Sequence, residues 1–296
     1  MIIMITEYLA WNDCNNNCKF CWQRLKPKSN TQQRLEAMKL IKEDMLSLDL
    51  PYEDSHVLFV GGELFFEQDI ETKNTLYDLF KCLFDLMYNK KVNRSYINTN
   101  LLYDPNYLLF PVLDMAAEKN LLQRLNFTTS GDESDRFIGI KGDEKRHLFY
   151  SNLKALRQRY PKMNIMVNLI LTKQFCDDVL RCGFDINRYE KDLGVIMNVI
   201  PYIKLKTDER TPSRDEVLST IIKLDSQQPG YLKRTCDNHT SHPIRKLLHY
   251  ENGKLVDVSC DLNDCGHAIN FNRCYSDSES CFACDLKRLY AAIGQD

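Results

Sequence analysis

Three cysteines lie close together near the start of the chain, in the stretch WNDCNNNCKFCWQR: Cys14, Cys18 and Cys21. Thiolates are the ligands that zinc ions and iron–sulfur clusters prefer in proteins. A structural zinc site takes four protein ligands, and the next His or Cys in the sequence is His56. Three thiolates on a four-iron cluster would leave one iron open for a substrate or cofactor. The spacing therefore predicts a metal site, either such an open iron–sulfur cluster or a zinc site completed from a distant part of the chain.

A second group of cysteines lies near the end of the chain. Its five members are Cys260, Cys265, Cys274, Cys281 and Cys284. The surrounding segment is rich in Asn, Asp and Ser and has few apolar residues before a short final helix, so burial of a core would not fold it. A bound metal would stabilise such a segment, and five thiols are more than one four-ligand site requires.

The composition indicates a globular protein of a reducing compartment. The chain has 296 residues, of which 44% are hydrophobic, and a net charge of −2. The segment MIIMITEYLAWND lacks the basic region and cleavage site of a signal peptide, and no apolar run reaches membrane-spanning length. Clustered thiols in a reducing compartment more often bind metals or take part in redox chemistry than form disulfides. We therefore expect a cytoplasmic protein with no membrane partner, and the absence of a basic tract argues against nucleic acid as a partner.

The elements that must position the cysteines alternate between strands and helices. Apolar, β-branched runs typical of strands occur at MIIMITEYLA, HVLFVGG, RSYINTNLL, RLNFTTSG, NIMVNLILT and GVIMNVIPYI. Between them, apolar residues recur at helical steps, as in ETKNTLYDLFKCLFDLMYNK, and Thr31 and Thr172 are the predicted N-caps of two helices. The order predicts an α/β fold with a parallel sheet or barrel, in which ligands bind at the carboxyl ends of the strands. The first cysteine group directly follows the first strand.

The alternation of strands and helices ends near residue 205. The stretch TPSRDEVLSTIIKL predicts one more helix, and LLHYENGKLVDVSC predicts a β-hairpin with a type I′ turn at Asn252–Gly253. The second strand of this hairpin leads directly to Cys260. We therefore predict two domains, a core barrel over residues 1–205 and an extension over residues 206–296.

The first cysteine motif resembles the signature loop of the radical S-adenosylmethionine (radical SAM) superfamily, which has the same spacing. In that family an aromatic residue precedes the last cysteine, and another usually follows it. Phe20 and Trp22 stand at these two positions here, and the resemblance places both beside the cluster and its cofactor.

A second similarity to this family lies at the end of the second predicted strand, where VGGE contains Gly61, Gly62 and Glu63. A similar motif in the family contacts the amino group of the methionine part of S-adenosylmethionine. Glycines let a backbone approach a ligand closely, and a carboxylate can accept a charge-assisted hydrogen bond from an ammonium group. A proline commonly follows the motif in the family, whereas this chain has Leu64.

The resemblance implies a partial (β/α)6 barrel, similar to a TIM barrel, with one 4Fe–4S cluster on Cys14, Cys18 and Cys21. It implies that S-adenosylmethionine binds the open iron and is cleaved reductively to a 5′-deoxyadenosyl radical, which abstracts hydrogen from a substrate. The electron would come from a low-potential donor similar to flavodoxin or ferredoxin. Further cofactor contacts are expected at the strand ends, and the candidates are Asn98, Asn100, Thr128, Ser130, Arg136 and Asn168. For each of these candidates, the alternative is an ordinary polar residue at a strand end.

The cysteine-rich end looks like the SPASM or twitch extensions of some radical SAM enzymes, which carry auxiliary iron–sulfur clusters. The longer SPASM version holds two clusters and more cysteines than occur here, so the resemblance implies one auxiliary 4Fe–4S cluster. The expected ligands are Cys260, Cys265, Cys281 and Cys284, with Cys274 as a substitute. A zinc site with the same ligands is the alternative, and Cys236 and His267 are further candidate ligands.

Enzymes with such tails often modify peptides or proteins, so the resemblance favours a peptide or protein substrate. A nucleotide or a small metabolite is the alternative substrate. A function of another class, a non-catalytic iron–sulfur or zinc scaffold that binds a partner, would also use the cysteines. Such a scaffold would have no use for an ammonium site at Glu63.

Metal content tests the assignment of both cysteine groups. Anaerobically reconstituted protein should carry about eight irons per chain, since each site would hold a four-iron cluster. Replacing Cys14, Cys18 and Cys21 together by Ala should leave about four irons, measured by elemental analysis. Stoichiometric zinc in the tail, with iron only at the first site, would contradict the auxiliary cluster and leave the first assignment intact.

Overall fold

The computed structural model describes residues 4–16, 28–130, 143–201, 212–231 and 244–257. The strands are β1 (Met4–Leu9), β2 (Ser55–Val60), β3 (Arg94–Asn98), β4 (Leu125–Ser130), β5 (Asn164–Leu171), β6 (Ile196–Pro201), β7 (Ile244–Glu251) and β8 (Lys254–Asp257). The helices are α1 (Thr31–Leu46), α2 (Ile70–Tyr88), α3 (Leu109–Glu118), α4 (Asp143–Arg159), α5 (Lys173–Arg181), α6 (Ile186–Leu193) and α7 (Arg214–Gln227). Short 3₁₀ turns occur at Tyr52–Asp54 and Leu122–Arg124.

The described strands form one sheet in the order β6-β5-β4-β3-β2-β1-β7-β8. Among these strands, β1 to β7 run parallel to one another, and β8 pairs antiparallel with β7. All six strands predicted for the barrel are present, in sequence order from β1 to β6. Within the described part of the chain the sheet is not closed, since β6 and β8 stand at its two ends and do not pair with each other. The α/β fold with a partial, TIM-like barrel is therefore confirmed.

The two faces of the sheet differ in polarity because side chains alternate along each strand. In β5, Ile165, Val167 and Leu169 are buried in the main hydrophobic core, which the helices share. Met166 and Asn168 lie between them in sequence, on the opposite face, and are only half-buried, whereas Ile170 on that face is buried. The opposite face therefore stays partly exposed around Met166 and Asn168, while the face with the main core holds the sheet and helices together.

The helix that follows the first cysteine group begins with a capping box. Asn30 is the N-cap of α1, since its Oδ1 accepts a hydrogen bond from Gln33 N (2.9 Å) and Gln33 Oε1 accepts one from Asn30 N (3.0 Å). The prediction of Thr31 as the N-cap was wrong by one residue, and the Thr31 hydroxyl donates instead to Asp69 (3.1 Å). The predicted N-cap Thr172 is confirmed at the start of α5. Within the described ranges no helix combines the length and apolar character needed to span a bilayer.

The predicted hairpin is present and extends the sheet beside β1. Asn252 (φ 50°) and Gly253 (φ 80°) form its turn, and two positive φ angles are what a type I′ turn requires. The Tyr250 hydroxyl donates to Glu36 Oε2 in α1 at 2.5 Å, which ties the hairpin to the helix that packs beside it. The predicted domain boundary at residue 205 and the tail from residue 258 lie outside the described residues.

Candidate functional site

The loops after β1, β2 and β3 meet at the carboxyl edge of the sheet. Because these strands are parallel neighbours, their carboxyl ends lie side by side. Cys14 is in the first loop, Gly61 to Glu63 form the second, and Asn100 is in the third. The structure therefore brings together predicted site residues that are up to 86 positions apart in sequence. Phe20, Cys18, Cys21 and Trp22 lie outside the described residues.

The two glycines of the second loop let it pack directly against the backbone of the first loop. Gly62 N donates to Trp11 O and Glu63 N donates to Asp13 O, both at 2.8 Å. A Cβ atom on Gly62 would lie 1.8 Å from Asp13 O, and one on Gly61 would lie 2.6 Å from Trp11 O. Gly61 also has a φ of +129°, which L-residues with side chains rarely adopt. The glycines are thus required for contact between two protein backbones, a role that the sequence does not predict.

Glu63 joins the second loop to the third through a buried carboxylate. Its side chain accepts hydrogen bonds from Phe65 N (3.1 Å), from Asn100 N (2.6 Å) and, at both oxygens, from Thr99 Oγ1 (3.0 Å). The residue is only 1% exposed. Burial raises the pKa of Glu63 to about 7, although the hydrogen bonds from Asn100, Phe65 and Thr99 act in the opposite direction.

The third loop has polar supports that sequence reasoning missed. The Tyr103 hydroxyl lies 2.6 Å from Thr99 Oγ1, and burial together with the charge of Glu63 holds the pKa of Tyr103 well above its usual value. The buried Asn152 of α4 donates to the carbonyl groups of Leu101 (2.9 Å) and Tyr103 (2.7 Å). The signal available in the sequence was only the polar pair in NTNLLY, which does not identify a partner on α4.

Cys14 lies half-buried with hydrogen-bond donors directed at its sulfur. Asn16 N is 3.3 Å from Cys14 Sγ, and Asn100 Nδ2 is 3.5 Å from it. N–H donors stabilise a thiolate relative to a thiol, and the thiolate is the form that binds metals. The surroundings of Cys14 therefore fit a metal ligand. Within the described ranges no three His, Cys, Asp or Glu side chains form a metal site, and two of the three predicted ligands lie outside them.

A buried ion pair closes the base of the loop that contains the cysteines. Asp13 Oδ2 accepts from Ser29 N (3.0 Å) and from Arg34 Nε (3.2 Å), so residues on both sides of the loop are joined. Arg34 also donates to Ser29 O (3.1 Å) and to Gln68 Oε1 (2.7 Å). Asp13 is 3% exposed, and the pair fixes the loop to the first turn of α1. The sequence gives no indication of this pair, because the partners are 21 positions apart.

The remaining strand-end candidates within the described residues lie on β3, β4 and β5. Asn168 of β5 accepts a hydrogen bond from Asn198 Nδ2 of β6 (3.0 Å), and Ser130 of β4 is in register with Asn168. Asn98 of β3 and Thr128 of β4 are likewise in register with each other. Asn98, Thr128 and Asn168 are half-buried. Arg136 and all the tail cysteines, Cys260, Cys265, Cys274, Cys281 and Cys284, lie outside the described residues.

Comparison with known proteins gives matches at the level of the fold. No protein-family model matches the sequence, and no curated protein matches it significantly. Streptococcus suis SuiB bound to S-adenosylmethionine matches with a TM-score of 0.50 and 11% identity, over 84% of this chain and 51% of that chain. SuiB bound to the precursor peptide SuiA matches with a TM-score of 0.50 and 12% identity, over 79% and 47%. Native anSMEcpe with bound AdoMet and the Cp18Cys peptide has a TM-score of 0.49 and 14% identity, over 83% and 64%. This chain thus spans about half the length of SuiB and shares its fold over most of its own length.

Replacing Gly62 by Ala tests the backbone contact between the first two loops. The added Cβ would overlap Asp13 O, which cannot move away without losing its bond from Glu63 N. We expect a loss of unfolding free energy of about 3 kcal/mol in urea denaturation. Gly183→Ala is the matched control, since its Cβ would meet nothing within 4 Å. Its only expected cost is the strain of an alanine at a φ of +73°, which should lower the unfolding free energy by about 1–2 kcal/mol. Equal losses in the two variants would contradict the contact.

The raised pKa of Glu63 predicts an unusual pH dependence of stability. A carboxyl group whose pKa rises from 4.5 when unfolded to about 7 when folded stabilises the protein in its protonated form. This contribution is complete below the unfolded pKa and is lost as the pH rises through the folded pKa. The unfolding free energy of the cofactor-free protein, minus that of Glu63→Gln, should therefore increase by about 2.5 kcal/mol from about pH 8 to about pH 5. A difference that does not change with pH would show that Glu63 titrates normally.

Proposed function

We propose that this chain is a radical SAM enzyme. Cys14, Cys18 and Cys21 would hold a 4Fe–4S cluster, and S-adenosylmethionine would bind at its open iron, with an electron from a low-potential donor similar to flavodoxin or ferredoxin. When bound and reduced, the cluster would supply the electron that cleaves the sulfonium and produces the radical that abstracts hydrogen from a substrate. The observation that carries the proposal is the joining of the Cys14 loop to the Gly-Gly-Glu loop by the Gly62 and Glu63 backbone bonds.

The residues of this chain prepare Cys14 for a cluster before any metal is present. Two N–H donors already face Cys14 Sγ, and the Asp13–Arg34 pair closes the loop that would contain all three thiolates. Ligands held in advance lose less conformational freedom when a metal binds. The SuiB structure with bound S-adenosylmethionine supports the proposal, because it has the same fold over 84% of this chain.

Glu63 would act on the cofactor through its charge. Its oxygens already accept hydrogen bonds from Thr99 and from two backbone N–H groups, and the residue is buried. A cofactor ammonium beside the loop would favour the ionised carboxylate and lower its pKa. The hydrogen bonds orient that charge in advance, so that binding the ammonium offsets part of the cost of burying it.

The proposed substrate is a peptide or protein, and the face of the sheet opposite the main core supports this choice. Asn98, Thr128, Asn168 and Asn198 present uncharged donors and acceptors there, half-buried, on the strands that follow the candidate site. Carboxamides and hydroxyls match the hydrogen-bonding groups of a peptide backbone. SuiB was crystallised with its precursor peptide SuiA and has the same fold over 79% of this chain. The alternative is a nucleotide or small metabolite.

The tail would add one auxiliary 4Fe–4S cluster, held by Cys260, Cys265, Cys281 and Cys284. Strand β8 leads the chain from the hairpin turn into the tail while paired with β7 in the main sheet, so the tail begins from a fixed position. Because β8 runs antiparallel to β7, it points away from the carboxyl edge, and a tail cluster that contacts the substrate would require the chain to return to that edge.

A second candidate function is a metal-binding scaffold without catalysis. The observation that favours it is that every feature of the Gly-Gly-Glu motif has a structural use, since the glycines admit a backbone and Glu63 is fully hydrogen-bonded. A scaffold would bind metal at Cys14 but would not bind or cleave S-adenosylmethionine.

Cleavage of S-adenosylmethionine separates these two functions. Reconstituted and reduced protein should convert it slowly to 5′-deoxyadenosine and methionine without a substrate, detected by chromatography under strict anaerobiosis. Cys14→Ala, Cys18→Ala or Cys21→Ala should each abolish the product, because two thiolates do not hold a four-iron cluster firmly. Cys281→Ala and Cys284→Ala should retain most of this slow cleavage, and Cys182→Ala, an exposed cysteine after α5, should retain all of it.

The wild-type result decides the assignment. If no 5′-deoxyadenosine forms while a control enzyme is active under the same conditions, the radical SAM proposal fails and the scaffold becomes the better assignment.

A further inference from the structure

Asn100 connects the carboxylate of Glu63 to the sulfur of Cys14. Its backbone N–H donates to Glu63 Oε2 (2.6 Å), while its side-chain Nδ2 lies 3.5 Å from Cys14 Sγ and 2.8 Å from Asn15 Oδ1. Its Oδ1 accepts from Leu102 N (2.8 Å). One residue of the third loop thus contacts both halves of the candidate site.

The surrounding hydrogen bonds determine which end of the Asn100 carboxamide faces the sulfur. Leu102 N can only donate a hydrogen bond, so its partner must be the oxygen of the Asn100 carboxamide. The NH₂ group of the same carboxamide then faces Cys14 and Asn15. A flipped amide would direct its oxygen at a thiolate and at the Asn15 oxygen. The group facing Cys14 is therefore a hydrogen-bond donor.

The loop that carries Asn100 is held rigidly. Leu101 has a φ of 57°, in the left-handed region, and the buried Asn152 binds the carbonyl groups on both sides of Leu102. Asn15 Nδ2 also donates to Leu102 O at 2.8 Å. A donor held on a rigid loop keeps its distance from the sulfur in both oxidation states of a bound metal centre.

We propose that Asn100 is a positioning residue that tunes the reduction potential of the cluster through an N–H···S hydrogen bond to Cys14. This inference rests on the proposed function, and it replaces the direct cofactor contact expected for Asn100 from the sequence. One electron from the low-potential donor proposed above reduces the cluster, and no bond forms or breaks in that step. The added negative charge is shared with the thiolate sulfurs, so an N–H donor stabilises the reduced form more than the oxidised form. Removing the donor should lower the potential.

The test measures the midpoint potential without S-adenosylmethionine, by redox titration followed by electron paramagnetic resonance. A Cys281→Ala/Cys284→Ala background leaves the first cluster as the source of the signal. Asn100→Asp keeps the acceptor for Leu102 N and replaces the donor by an oxygen, while Asn100→Ser removes the donor without adding charge. Asn106→Asp, an exposed residue after the same loop, controls for added charge.

At a fixed applied potential, both Asn100 variants should lower the ratio of reduced to oxidised cluster by about tenfold. This change corresponds to a fall in the midpoint potential of about 59 mV for one electron. The shift should be larger for Asp because of its charge, and Asn106→Asp should not shift the potential. Iron content confirms that each cluster is intact, and Asn100→Ala, which also removes the donor without adding charge, carries the test if Asn100→Ser loses iron.

Two negative outcomes have different meanings. An intact cluster with unchanged potential in Asn100→Asp would overturn the inference alone. Failure of the wild-type protein to form a cluster would overturn the proposed function and the inference with it.

Discussion

The rest of the candidate site depends on two backbone hydrogen bonds between the first and second loops. Gly62 N to Trp11 O and Glu63 N to Asp13 O place the residue before Cys14 against the Gly-Gly-Glu segment, with no side chain between them. Backbone bonds of this kind tolerate no Cβ at Gly62, so the position of Cys14 is set by steric exclusion as well as by attraction. Side-chain contacts then only have to refine a geometry that the backbone already imposes.

A buried carboxyl group is the second constraint, and the third loop is arranged around it. An isolated carboxylate in the interior would cost several kcal/mol, and the donors from Phe65, Thr99 and Asn100 offset only part of that cost, since burial still raises the pKa of Glu63 to about 7. Satisfying Glu63 fixes the backbone of Asn100, and the backbone of Asn100 directs its carboxamide toward Cys14. The charge of Glu63 and the environment of Cys14 therefore cannot be changed independently.

Hydrophobic periodicity predicts all six parallel strands of the barrel, and the rule that ligands bind at the carboxyl ends of strands places Cys14 and Glu63 at one edge of the sheet. What the pattern does not predict is which groups those residues contact. Thr99, Asn152 and the Asp13–Arg34 pair are contributed by loops and helices that meet only after folding, and single-sequence patterns carry no signal for such pairs. The misplaced N-cap of α1 has a local cause, since Asn30 and Thr31 are both good capping residues and the Gln33 side chain favours Asn30.

The pairing of β1 with β7 affects how the chain folds as it is synthesised. Strand β1, which leads into the Cys14 loop, lies between β2 and β7 in the sheet, and the Tyr250–Glu36 bond that ties this hairpin to α1 spans 214 positions. Until the ribosome has released residues 244–251, β1 is an edge strand with open N–H and C=O groups, and such edges invite pairing with other chains. Closing so long a loop is slow, because its entropy is lost before the contacts form. The strand that leads into the Cys14 loop is therefore among the last to have both neighbours, so this loop is attached to an unfinished sheet until residues 244–251 pair with β1.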